Sequence, residues 1–392
     1  MLFEIILSLF LGITIGTFTG LTPGIHINLI GALLVSLSFS FFSSIEPAYL
    51  IVFIVSMAIA HTFLDFIPSI FLGCPDTDTE LSILPGHELL KKGLGHEAIL
   101  LTTYGGLAAV FILILVSFPA ITLLPKIYGV VNNLIPYLLI FVSLFLVLIE
   151  KNKFHAMIVF LLTGFLGLIT LNLDIKEPLL PLLSGLFGAS MLFLSIKTKT
   201  QIPKQKITNP KIKLKPILGA AIASPICSFL PGLGSGQAAI LGNTISRTDK
   251  KGFLILLGAT NTLVMGFSFI SLYAISRTRT GAAAAINEII SLQKETIILI
   301  LVIVFISGIV SFFLTKNLSK YISERINKIN YTKVSIITLI ILSLIVFFVS
   351  GILGLLVLLI SAATGIYCIS LNVRRTQMMG CLLLPTILLY LI

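Results

Sequence analysis

Tryptophan is absent from this chain of 392 residues, and charged side chains make up only 10% of it. A soluble globular protein carries about a quarter of its residues as Asp, Glu, Lys and Arg, so this scarcity excludes that class. Acids are the scarcer sign, 15 against 26 Lys and Arg, giving a formal net charge of +11. In a soluble chain that excess would point to nucleic acid. Here the basic residues stand in short stretches between long apolar runs, where they report membrane topology instead, and no nucleic-acid partner is expected. The four cysteines, Cys74, Cys227, Cys368 and Cys381, show no CxxC spacing and lie in or beside apolar segments. A disulfide framework and a metal site are thereby disfavoured, and small buried hydrophobe is the better reading. No Ser, Cys and His constellation suggests a hydrolase, and no Walker lysine follows a glycine-rich stretch. The expectation is therefore no enzyme, no catalytic residue, no cofactor and no direct use of ATP.

What is present is apolar: 57% of residues are hydrophobic, and the mean hydropathy is +1.12. The fold class expected is all-α, a polytopic integral membrane protein with the lipid bilayer as its solvent, multi-pass in the cell membrane. Leu2 to Leu21 supplies ~20 mostly apolar residues, enough to span a bilayer, and is read as retained rather than cleaved.

Two stretches interrupt this apolar chain in the same way. Gly20-Leu21-Thr22-Pro23-Gly24-Ile25-His26-Ile27-Asn28 and Leu230-Pro231-Gly232-Leu233-Gly234-Ser235-Gly236-Gln237 each carry a Pro-Gly pair, which removes a backbone donor and permits non-helical angles. Aligning Pro23 with Pro231 puts Gly12, Gly16 and Gly20 opposite Ala220, Ser224 and Ser228, and further on Ala60-His61-Thr62 falls opposite Thr260-Asn261-Thr262. The chain reads as a duplicated unit: a first repeat over 1–196, a basic cytoplasmic linker over 197–215 and a second repeat over 216–392. Each repeat holds a broken, re-entrant helix pair plus about five spanning helices, the arrangement of many secondary transporters. The apolar runs of the first repeat are Ala48 to Leu72, Ala98 to Leu124, Val130 to Ile149, Phe154 to Leu171 and Leu179 to Ile196. Those of the second are Phe253 to Ile275, Thr296 to Leu314, Val334 to Ser350, Ile352 to Ser370 and Thr376 to Ile392. Between Asn317 and Thr332, Leu318, Ile322, Ile326 and Ile329 recur at helical spacing among cations, which suits a separate helix in the membrane interface; the alternative is a plain solvated loop.

The linker carries Lys197, Lys199, Lys204, Lys206, Lys211, Lys213 and Lys215 without an acid, which places it in the cytoplasm. If each broken segment returns to its starting side, the loops with Lys91 and Lys92, Lys151 and Lys153, Arg247 to Lys251, Lys316 to Lys333, and Arg374 and Arg375 are cytoplasmic too. The repeats then have inverted topology. One loop breaks the rule, for Arg277 and Arg279 land outside. If the breaks only kink single spans, the parity changes and the inversion is lost.

A helix restarting at membrane depth offers unpaired N–H groups and the positive end of its dipole, an anion site. The candidate substrate-binding residues are Pro23, Gly24, His26 and Asn28 at the first break and Pro231, Gly232, Gly234, Ser235, Gly236 and Gln237 at the second. Asn261 and Thr262 add neutral oxygens for substrate or Na⁺. The alternative is a pair of packing kinks filled by glycine. His61 and Asp65, four apart on one helix face, are candidates for ion coupling; the alternative is a carboxylate hydrated at a helix end. The acidic loop Gly73 to Glu80 resembles a Ca²⁺ loop only superficially, lacking the glycine and distal glutamate of an EF-hand.

The paired breaks, the stretch Pro75-Asp76-Thr77-Asp78-Thr79-Glu80-Leu81-Ser82-Ile83-Leu84-Pro85-Gly86-His87-Glu88-Leu89-Leu90-Lys91-Lys92-Gly93 and the closing Met379-Gly380-Cys381-Leu382-Leu383-Leu384-Pro385 together resemble the TctA family, the large membrane subunit of tripartite tricarboxylate transporters. The Leu-Pro-Gly-His form of the loop and the short chain look more like its archaeal branch. The resemblance implies a secondary transporter for a small anionic substrate, a di- or tricarboxylate, coupled to a cation, H⁺ or Na⁺. It also implies a small membrane subunit and an extracytoplasmic binding protein as partners. The second break is similar to that of polyprenyl-phosphate translocases as well, which keeps a lipid carrier as an alternative substrate. An intramembrane enzyme or a scaffold is the alternative from another class.

Overall fold

A computed structural model describes residues 2–22, 46–73, 78–198, 202–231, 233–326 and 330–391. Among these residues all regular structure is helical, and eight helices are long and apolar enough to cross a membrane. The chain is an all-α, multi-pass membrane protein.

Its core is set by small residues that let helix backbones touch, the device that replaces the hydrophobic effect inside lipid. α1 (Leu2–Leu21) carries Gly12, Gly16 and Gly20 on one face, against α2 (Pro47–Leu64). A Cβ at Gly12 would stand 2.5 Å from the Phe53 carbonyl oxygen, and one at Gly16 would stand 2.4 Å from that of Met57. The opposite face of α1 presents Phe3, Phe10 and Phe18 outward, as a lipid-facing surface does. In the second half α10 (Lys215–Phe229) packs on α12 (Lys250–Ile275) with Ala220, Ser224 and Ser228 buried at the matching places. The two halves then interlock. α5 (Gly95–Val131) packs chiefly on α12, and α14 (Lys294–Arg325) packs on both α2 and α5.

α10 and α11 (Ser235–Ser246) run antiparallel, because Gly219 near the start of one meets the Gly242 carbonyl and Ser246 near the end of the other. The second break is thus the tip of a hairpin. At the open end of that hairpin the basic segments collect. Lys206 N donates to the Gly93 carbonyl at 2.7 Å, Lys213 pairs with Asp249, Lys250 with Glu88 and Lys251 with Glu97. A second group of helices flanks this core: α6 (Ile135–Leu148), α7 (Lys153–Leu171), α8 (Leu179–Leu183), a π-turn over Ser184–Ala189, α9 (Ser190–Thr198), α15 (Tyr331–Ser370) and α16 (Gly380–Leu391).

The helix boundaries differ from expectation in three places. α5 continues past Pro119 and Pro125 to Val131, so the turn into α6 falls at Asn132–Leu134. α14 runs unbroken from Lys294 to Arg325, and no separate interfacial helix begins at Asn317. Nothing between Leu314 and Lys320 breaks a helix, and the apolar stripe Leu318, Ile322 and Ile326 packs into the core. A short helix, α13 (Gly281–Ile289), lies where only a loop was expected; its first turn is capped by Thr280, whose hydroxyl accepts from Ala283 N at 3.2 Å. The expected boundary between Ser350 and Ile352 matches a kink, for Gly351 has φ +69°, an angle glycine adopts without steric cost.

Candidate functional site

Pro23, Gly24, His26, Asn28 and Gly232 lie outside the described residues. The remaining candidates fall into two clusters.

The first cluster sits where α2 and α12 cross. Gly20 lets α1 approach the Asp65 amide and the His61 carbonyl closely, which brings Thr19 Oγ1 to 3.1 Å from His61 Nδ1. His61 and Asp65 are both 4% exposed, so the carboxylate is not a hydrated helix end. Asn261 Nδ2 donates to Asp65 Oδ2 at 2.8 Å and to the Thr62 carbonyl at 3.2 Å. Thr62 and Thr262 bring their hydroxyls within 3.2 Å of each other. Since Thr62 already donates to the Ile59 carbonyl at 2.9 Å, Thr262 is the donor in that pair. Residues aligned in the two halves thus meet face to face, surrounded by apolar core.

Local chemistry explains why the helix loosens here. Pro68 has no N–H for the Leu64 carbonyl, and α2 gives way at Asp65 to α3 (Phe66–Leu72). The neighbouring Asp65 carbonyl accepts a long bond from Ser69 N at 3.4 Å and a short one from the Ser69 hydroxyl at 2.6 Å. Ser69 Oγ is also 2.6 Å from Thr79 Oγ1 in the following loop. The second half repeats the device: Ser268 Oγ donates to the Met265 carbonyl at 2.6 Å and lies 2.8 Å from Thr280 Oγ1.

The second cluster is the hairpin tip at the start of α11. Gly234, Ser235, Gly236 and Gln237 are all buried, with Pro231 partly exposed before them. Gln237 Oε1 turns back to accept from Gly234 N at 2.7 Å. Ser235 donates twice to Asp78 Oδ1, from its amide at 3.2 Å and from its hydroxyl at 2.8 Å, and the hydroxyl lies 3.0 Å from the Asp78 carbonyl oxygen. Arg279 closes the other side, its Nε donating to the Leu233 carbonyl at 2.5 Å. A carboxylate is therefore already seated on this helix N-terminus, with a guanidinium beside the same turn. The two charges arrive by equivalent routes, Asp78 from the residue before Thr79 and Arg279 from the residue before Thr280.

Sequence reasoning missed both Asp78 and Arg279. Asp78 passed as part of a failed Ca²⁺ loop. Arg279 gave a signal, since its loop was the one that broke the charge rule. A line of contacts joins the clusters: Ser235 to Asp78, its neighbour Thr79 to Ser69, Ser69 to the Asp65 carbonyl, and Asp65 to Asn261. None of the expected residues lines a cavity of about 630 Å³ at the basic end, whose walls include Glu88, Glu150, Asp249, Lys250, Arg374 and Arg375. There Arg374 and Glu150 pair at 3.3 Å, and Lys250 pairs with Glu88.

Comparison with known proteins finds similarity over nearly the whole chain. The sequence model of the tripartite tricarboxylate transporter TctA family matches residues 6–380. The chain is also 32% identical over 401 residues to an uncharacterized protein of Methanocaldococcus jannaschii, an alignment covering 98% of this chain and 99% of that protein. No solved structure matches.

Proposed function

The chain belongs to the TctA family of tripartite tricarboxylate transporters, and from that premise we propose that it carries a di- or tricarboxylate through the membrane, binding one carboxylate of the substrate on the N-terminus of α11. Membership makes the chain a transporter component rather than an enzyme, and implies partner subunits, a binding protein and a small anionic substrate. The observation that carries the finer reading is the Asp78 carboxylate on Ser235, because groups that hold one carboxylate by its amide and hydroxyl can hold another. Arg279 supplies the compensating charge that a buried anion needs.

In this reading the crossing of α2 and α12 couples a cation to transport. Asp65 is the anionic group, His61 and Asn261 orient around it, and the Thr62 and Thr262 oxygens complete a polar patch able to pass H⁺ or hold Na⁺. The basic end faces the cytoplasm, as the positive-inside rule requires of lysine-rich short loops. The meeting of Thr62 with Thr262, and the Ser–Thr hydroxyl pairs that each half repeats, support two repeats related by symmetry.

The test is uptake by the purified chain in proteoliposomes, with citrate, succinate, inorganic phosphate and a polyprenyl phosphate offered in turn under imposed H⁺ or Na⁺ gradients. Gradient-dependent accumulation of citrate or succinate is expected. Movement of the polyprenyl phosphate with neither carboxylate taken up or bound would replace this reading with lipid-carrier translocation.

A further inference from the structure

We propose that Asp78 is a tethered competitor of the substrate: its carboxylate fills the receptor at the start of α11 in this conformation, and substrate binds by displacing it. The inference rests on the carboxylate-binding reading given above and adds a group that sets its affinity.

Three observations carry it. The first is that Asp78 takes the donors a ligand would take. Its Oδ1 accepts from both the amide and the hydroxyl of Ser235, and it comes from a loop distant in sequence rather than from the helix itself. The second is that the receptor has capacity left over. Gln237 is 1% exposed, its Oε1 accepts from Gly234 N, and its Nε2 has no hydrogen-bond partner. A buried amide donor without a partner is costly, and a ligand larger than one aspartate side chain, such as a carboxylate bearing further oxygens, would satisfy it. The third is charge. Arg279 Nη2 and Asp78 Oδ1 would lie 3.2 and 3.4 Å from a Cβ placed on Gly234, so opposite charges flank the bare backbone of one residue. With Asp78 in place the tip is neutral without substrate; an arriving carboxylate exchanges with Asp78 and leaves Arg279 compensated. The absence of a side chain at Gly234 keeps the space in which that exchange occurs.

Displacing Asp78 also draws on Thr79, whose hydroxyl contact with Ser69 leads to the Asp65 carbonyl. The exchange therefore pulls on the segment that holds the proposed coupling residue.

The experiment measures citrate binding to the full-length chain in lipid nanodiscs, with thermal unfolding as the check on folding. Parent, Asp78→Asn, Asp78→Ser and Ser235→Ala are compared. Removing the competing charge in Asp78→Asn is expected to tighten citrate about tenfold, since a hydrogen bond to a charged acceptor exceeds one to a neutral amide by about that factor. Asp78→Ser, which cannot reach as far, should tighten it at least as much, and Ser235→Ala should weaken it. Citrate bound equally or more weakly by both folded Asp78 variants, with the parent binding it, overturns the competitor role and leaves the carboxylate reading standing. Citrate, succinate and phosphate bound by none of the folded proteins overturns both. Binding measurable only in the Asp78 variants supports the proposal.

Discussion

The hydrogen bond from Asn261 to Asp65 offers a direct measure of whether the crossing of α2 and α12 holds a buried charge. Asn261→Ala removes the 2.8 Å donor to Asp65 Oδ2 and the 3.2 Å donor to the Thr62 carbonyl. A hydrogen bond to a charged group contributes about 1.5–3 kcal/mol and one to a carbonyl about 0.5–1.5 kcal/mol, so the variant should lose roughly 2–4.5 kcal/mol beyond the cost of its cavity. Asp65→Ala removes the charge that needed the donor. In the double variant the Asp65 part of the Asn261 penalty therefore disappears, and the coupling energy from the cycle should be about 2 kcal/mol. The cavity costs appear in both single variants and largely cancel. Equilibrium unfolding in mixed micelles, followed by a spectroscopic signal of tertiary structure, gives each free energy. Additivity within about 0.5 kcal/mol is what a hydrated carboxylate would show, as for an exposed pair, and would refute the buried reading of Asp65.

Three further outcomes are expected. Asp65→Asn should fold and bind citrate but lose gradient-driven accumulation in proteoliposomes; full accumulation would remove Asp65 from the coupling. Cysteines at Lys204 and Lys250, in a chain freed of its native cysteines, should react with an impermeant thiol reagent from the same side of the membrane, because their segments meet at one end of the molecule; opposite sides would contradict the hairpin of α10 and α11. His87, in the short helix Ile83–Lys91 (α4) outside the spans, is held down to about 4 by burial, reinforced by the charges of Lys91 and Arg375. The unfolded chain takes up this proton below pH 6.5 and the folded chain only below about 4, so stability should be intact above pH 6.5 and fall through that window by on the order of 3 kcal/mol. His87→Gln should flatten that part of the stability profile; an unchanged profile would mean that His87 is hydrated.

The fold was legible in the sequence to the extent that it depends on apolar length and small-residue spacing, since both act locally. Gly12, Gly16 and Gly20 are four residues apart because three backbone contacts with α2 must fall on one face, and the spacing alone announces that face. The places where reading failed are those where the chain could go on or stop at similar cost. At Pro125 and Asn317 the signs of a boundary were present, a proline in one case and a cluster of cations in the other. Yet α5 continues at the periphery, where Leu123 and Ile127 are exposed, and α14 continues because its polar side has Ser319 to meet His96 at 2.9 Å. A partner outside the segment decided the α14 outcome, and no pattern within the segment encodes it. α13 was invisible for the same reason: Ala282, Ala283 and Ala285 are buried by their neighbours, not by any periodicity of their own.

The site divides along the same line. Gln237 was legible because a helix restarting after Pro-Gly must find acceptors for its first N–H groups, and Gln237 Oε1, accepting from Gly234 N, is close in sequence. Asp78 was not, because its pairing with Ser235 spans two halves of the chain. Arg279 lies between these cases. A cation on the side where short loops avoid cations costs insertion energy, and selection leaves it there only if another interaction offsets that cost. In the fold Arg279 does not extend into the loop's solvent; it turns inward to the Leu233 carbonyl at the tip of the hairpin. Of the two cations that contradicted the topology rule, Arg279 is thus the one placed against the break, while Arg277 lies over the Tyr128 ring. In a sequence of this kind a disagreement with the charge rule is a pointer to the proposed anion site, and Arg279→Gln should accordingly weaken citrate binding by tenfold or more while leaving the topology of the cysteine-labelled chain unchanged. Loss of orientation without loss of affinity would return Arg279 to the role of a topological signal.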